Sequence, residues 1–147
     1  MSRVLSLILA LALAVAAHAA RAEVTPRDEI AAHIRAPMEL GPALNDQGVY
    51  SLLNSGGAAA GYVFETRPMA PLPGFSGAPV NVLVVLDLDG RFLDVRLLDH
   101  NEPIFVSGLP EHLFYDFFDQ YRGLSISDTL VVGNPYGEAD ESSALVY

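Results

Sequence analysis

The side chains able to do chemistry are few, and they gather late in the chain. Asp99-His100-Asn101-Glu102-Pro103 places an imidazole and a carboxylate two residues apart, where an apolar run gives way to a turn. Imidazole donates, accepts or titrates near neutral pH, and a loop at a strand end is a common seat for binding groups. The competing reading is a polar turn with His100 satisfied by local backbone. Ser107-Gly108 and Ser76-Gly77-Ala78 are glycine-containing turns whose backbone amides can approach a phosphate. His112 falls in the first turn of a predicted helix and faces solvent. No zinc-ligand spacing joins it to His100 and Glu102, and the chain contains no Cys. Phe114, Phe117 and Tyr121 recur at helical spacing and read as core rather than as a cofactor platform. Nucleophile-elbow, P-loop, dinucleotide-fingerprint and zincin motifs do not occur.

Composition narrows the partners. The 147 residues carry eight basic side chains, all Arg, against eighteen acids, for a net charge of −10. An acidic chain without a basic stripe argues against nucleic acid and against an anionic membrane surface. Met1 to Ala22 has the form of a secretory signal. Arg3 supplies the positive start, Val4 to Ala17 the apolar stretch, and Ala17-His18-Ala19 and Ala20-Arg21-Ala22 the small-x-small sites. The stretch is short for a bilayer span. Cleavage after Ala22 leaves one domain, residues 23–147, with six Arg against eighteen acids, a net −12.

The elements that must position these groups centre on Asn81 to Tyr121. Val82 to Leu86 is apolar on both faces and predicts a strand covered on both sides. Phe92 to Leu98 alternates, with Arg91, Asp94 and Arg96 outward. Asp89-Gly90 between them suits a tight type I′ turn. A helix follows, with Pro110 at its first position, Glu111 in its first turn, and Leu113, Phe114, Phe117, Phe118 and Tyr121 inward; Gly123 stops it. Upstream, Thr25 caps a helix that runs to Pro37. Met38 to Asp46 is irregular, and Val49 to Leu53 and Ala59 to Thr66 are strands. Pro68 to Pro79, with four prolines and two glycines, is a loop long enough to be functional. Thr129 to Val132 is a further strand, and Gly133 to Tyr147 is polar. The class is α+β: an antiparallel sheet with a central β-hairpin, packed by one or two helices.

Gly61-Tyr62-Val63-Phe64-Glu65-Thr66, Pro71-Leu72-Pro73-Gly74-Phe75-Ser76-Gly77 and Pro79-Val80-Asn81 follow in an order that resembles a known family. So do Asp89-Gly90, Val95, His100-Asn101-Glu102-Pro103-Ile104, Gly108-Leu109-Pro110, and Tyr115-Asp116-Phe117 to Gln120-Tyr121. They resemble the N-terminal periplasmic FMN-binding domain of the NosR/NirI family, over most of the chain from about Val24. The resemblance implies an FMN-binding-domain-like fold and an electron-transfer flavoprotein domain rather than a stand-alone enzyme. It implies a place on the periplasmic side of the bacterial inner membrane, within a membrane protein that supports nitrous oxide reductase and its expression in denitrification. The implied partners are the rest of that protein, nitrous oxide reductase and a flavin transferase. FMN in related domains is joined to the Thr of a Ser/Thr-Gly-Ala-Thr motif. These 147 residues lack that motif, Ser142-Ser143-Ala144 being no substitute, and they lack cluster cysteines and further membrane helices. The expectation is therefore a C-terminally incomplete domain. If FMN binds, the turn from His100 to Gly108 flanks it, with His100, Glu102, Ser107 and Gly108 as the binding residues. The alternative is a cofactor-free periplasmic sensory or interaction domain that docks a partner through Pro68 to Pro79.

Overall fold

Strands form where the sequence keeps apolar residues on both sides of a pleat, and β3 (Ala59–Glu65) and β4 (Asn81–Asp87) do this most fully. The structure, a computed structural model, describes residues 24–103, 108, 110, 112–129, 131–132 and 144–145. Five strands pair antiparallel in sequence order: β1 (Glu39–Ala43), β2 (Tyr50–Leu53), β3, β4 and β5 (Phe92–Asp99). Helix α1 (Arg27–Ala32) precedes the sheet, and helix α2 (His112–Asp119) follows it. A parallel pair, β6 (Val131–Val132) with β7 (Ala144–Leu145), ends the described chain. Among the described residues no helix is long and apolar enough to cross a membrane.

Register settles which residues share a face, because partners opposite one another in an antiparallel pair point the same way. Tyr50, Val63 and Val85 are in line, with Glu65 opposite Leu83 beside them. This face meets α1: Ile30 joins Tyr50, Leu52, Val63, Leu83 and Val85 in one buried cluster, with Met38 and Leu98 against it. The other face aligns Tyr62, Leu86 and Phe92, and next to them Phe64, Val84 and Val95. It meets α2 and the turn after it. The Tyr121 ring stands edge-on to Phe92 at 5.4 Å and to Phe117 at 5.8 Å, and Phe118 is buried. β4 is thus covered on both sides, as its apolar run requires. Gly61 lets β3 approach it, since a Cβ there would lie 1.9 Å from the Leu86 carbonyl oxygen.

Several sequence expectations are corrected. Thr25 does not cap α1; the N-cap position is Pro26, without a side-chain bond, and the Thr25 hydroxyl goes elsewhere. The helix ends at Ala32, well short of Pro37. The stretch read as irregular contains β1, held in the sheet although its own residues are mostly exposed. Asp94 and Arg96 do not point into open solvent: they oppose Val85 and Leu83 on the α1 face and bond each other at 2.6 Å. The β4–β5 turn is not type I′, because only Gly90 has positive φ, at 77°. Leu113 lies half out in solvent rather than inward, and Glu111 lies outside the described residues. α2 runs from His112, two residues after Pro110, only to Asp119, four residues before the expected stop at Gly123. Gly123, at φ 84°, closes the turn that follows, and its N–H bonds the Phe92 carbonyl at 2.8 Å.

Candidate functional site

Three turns of the sheet close in the same way. In Asn45-Asp46-Gln47-Gly48 the Asn45 side-chain oxygen accepts the N–H of Gln47 at 3.0 Å and of Val49 at 3.1 Å. Asn54 does the same for Gly56 and Ala58, at 2.9 and 3.0 Å. Asp87 does it for Asp89 and Arg91, at 2.9 and 2.8 Å. In each the fourth residue is a glycine with φ near 77–79°, a conformation that a side chain resists. Asx side chains close turns locally in this way.

A fourth turn has the same outline but no Asx side chain at its first position; within it the Ser76 hydroxyl meets only the Ala78 N–H, at 3.2 Å. Gly74-Phe75-Ser76-Gly77, at the tip of the Pro68–Pro79 loop, closes with the Gly77 N–H on Gly74 oxygen at 3.1 Å and the Gly74 N–H on Ala78 oxygen at 2.8 Å. Gly74 has no side chain to offer the free amides. Glu102 supplies one: its Oε2 accepts the Phe75 N–H at 3.0 Å, and its Oε1 accepts the Ser76 hydroxyl at 3.2 Å and the Ser76 N–H at 3.4 Å. The carboxylate fills the place of the missing side chain, and a Cβ on Gly74 would stand 2.1 Å from Oε1. The backbone here is a small anion cradle, filled by a carboxylate from the far side of β5.

Two further ties hold the loop to the strand ends. The Arg67 N–H donates to Asn81 Oδ1 at 3.1 Å, and the Arg67 guanidinium pairs with Asp99. His100 accepts the Glu102 N–H on Nδ1 at 3.2 Å, which leaves its ring hydrogen on Nε2. The loop and the exit from β5 therefore form one surface. At its tip Phe75 is 94% exposed and Leu72 75% exposed.

The structure brings His100 and Glu102 together as expected. It adds Gly74, Phe75 and Ser76 to them, from the Pro68–Pro79 loop, in which the sequence points to the Ser76 turn but not to its contact with Glu102. Gly108 is exposed, with φ 98° and open space where a Cβ would sit. Ser107 lies outside the described residues. Among the described residues no group of three or more His, Asp or Glu is placed to hold a metal ion.

A second polar centre was missed. Glu65 and Asn81 are each 1% exposed, inside the α1 face. Glu65 accepts the Thr25 N–H at 2.7 Å, the Thr25 hydroxyl at 2.6 Å and Asn81 Nδ2 at 2.6 Å. A buried carboxylate is tolerated when its lone pairs are met like this. The centre ties the segment before α1 to β3 and β4. Its sequence signal was present: two-residue alternation puts Glu65 on the same side as Val63.

The architecture defines a class, an α+β domain with one antiparallel sheet whose β3–β4 loop is latched to the end of β5. Over 123 residues, 84% of its length, the chain is 33% identical to a protein of Pseudomonas aeruginosa described as "Regulatory protein NosR". Over 94 residues it is 33% identical to the "Regulatory protein NosR" of Stutzerimonas stutzeri, and over 71 residues 31% identical to "Protein NirI" of Paracoccus denitrificans. The chain belongs to the NosR/NirI family. It spans 17%, 13% and 10% of the length of these relatives, respectively. No family model matches the chain, and no solved structure resembles it.

Proposed function

We propose that this chain is an FMN-binding electron-transfer domain of a NosR-like protein, on the periplasmic side of the bacterial inner membrane. There it supports nitrous oxide reductase and its expression in denitrification. The observation that carries this reading is the 33% identity to a NosR protein over 84% of the chain. In the proposal the rest of a membrane-bound NosR-like protein and nitrous oxide reductase are its partners. A flavin transferase is a partner only where an attachment motif exists outside these residues.

The donor set on the latched surface is compatible with the cofactor. The backbone amides of Phe75 and Ser76 are taken by Glu102, whereas Gly108 is exposed, with no described atom within 4 Å of a Cβ built there. Phe75 and Leu72 give an uncharged apolar platform beside them. His100, Ser107 and Gly108 would contact the cofactor. Glu102 belongs to the same site by holding the loop, since both its oxygens already accept hydrogen bonds from the turn. FMN, when bound, supplies reversible one- and two-electron chemistry; the protein's part is to bind it, orient it and shield it from water.

Titration of the intact chain with FMN, followed by flavin fluorescence, should give a saturable change at micromolar concentration, and His100→Ala should weaken it. No change up to high micromolar FMN would refute flavin binding by this chain. It would favour a second reading, a cofactor-free interaction domain docking through Pro68 to Pro79, which the exposure of Phe75 and Leu72 supports.

A further inference from the structure

On the α1 face, away from the latched loop, a cleft of about 230 Å³ opens over the sheet. Its floor is Leu52 and Val85, both buried, with Met38 and Leu93 beside them. Its mouth is charged, formed by His33, Arg35, Asp94 and Arg122. The balance of these charges is unusual for the chain. Asp94 lies 2.6 Å from Arg96 and 3.3 Å from Arg122, so its charge is more than answered. Arg122 meets a second acid, Asp119, at 3.1 Å. Arg35 has no ion pair among the described residues. Two of the eight basic residues of a chain with net charge −10, Arg35 and Arg122, thus line one cleft against a single lining acid, Asp94, which also pairs with Arg96.

From this we infer a binding site for a small organic anion: an apolar body on Leu52 and Val85, and a carboxylate head between Arg35 and Arg122. Guanidinium groups recognise carboxylates through paired, charge-assisted hydrogen bonds. An apolar floor under a few convergent polar groups is the usual make-up of a small-ligand site. The volume falls below the ~300 Å³ at which pockets for drug-sized molecules begin, so the ligand is a compact acid, of the size of benzoate. The site is independent of the flavin reading.

The test is a benzoate titration of the intact, ¹⁵N-labelled chain, with benzyl alcohol and benzylamine as uncharged and cationic controls. Saturable amide shifts confined to residues 33–38, Leu52, Leu93 and Asp94 are expected for benzoate, and much weaker binding for both controls. Arg35→Gln should weaken benzoate roughly tenfold, the scale of one lost charge-assisted contact. Arg35 is exposed, so an unchanged melting temperature should confirm that the variant is folded. Shifts centred elsewhere, equal binding of benzyl alcohol or benzylamine, or unchanged affinity in folded Arg35→Gln would overturn the assignment.

Discussion

Three turns of this sheet are capped by their own first residue, and one borrows a carboxylate for two of its amides. Asn45, Asn54 and Asp87 each bond the amides two and four residues ahead. In the Gly74 turn the Phe75 and Ser76 amides are instead met by Glu102, 27 and 26 residues away in sequence. A self-capped turn stabilises the hairpin in which it sits and little else. A turn capped from a distance links two parts of the chain, here the long β3–β4 loop and the exit from β5. Those are the parts that carry the exposed Phe75 and the half-buried His100.

The largest expected effect lies in the sheet that supports both kinds of turn. Gly61→Ala drives a methyl into the Leu86 carbonyl, a backbone group that cannot swing aside. Denaturant melts should show a loss of about 3 kcal/mol, the upper range for overpacking. Next come the self-capped turns. Asp87→Ala and Asn54→Ala each leave two amides without their side-chain acceptor, and each should cost about 1 kcal/mol of global stability. The borrowed cap should behave differently. Gly74→Ala places a Cβ against Glu102 Oε1 and should free the loop to proteolysis between Pro71 and Ala78. Its midpoint of unfolding should move less than that of Asp87→Ala, because the loop lies outside the buried cluster. Equal destabilisation by Gly74→Ala and Asp87→Ala would erase the distinction between the two kinds of turn.

What the sequence made legible follows the same division. The strands around Val63 and Val85 rest on local pattern, and they stand where their apolar runs put them. The glycine ending each Asx turn is equally local. The β4–β5 turn differs from type I′ because Asp87, the last residue of β4, uses its side chain to close a three-residue loop. β1 was missed because Gly41-Pro42 looks like a breaker; pairing with β2 overrides that composition. Thr25 was read as a cap on local grounds and spends its hydroxyl on Glu65, forty residues ahead. His100 and Glu102 were found from residue type and position. Their partners were not, since no periodicity connects Glu102 to Phe75 and Ser76.

The most direct test of the borrowed cap is amide hydrogen exchange at Phe75 and Ser76 in the intact chain and in Glu102→Ala. Loss of the carboxylate should speed exchange at these two amides at least tenfold and leave Asp89 and Arg91, capped by Asp87, at their original rates. Unchanged protection of Phe75 and Ser76 in the variant would contradict the account, because it would mean that the loop holds its shape without Glu102.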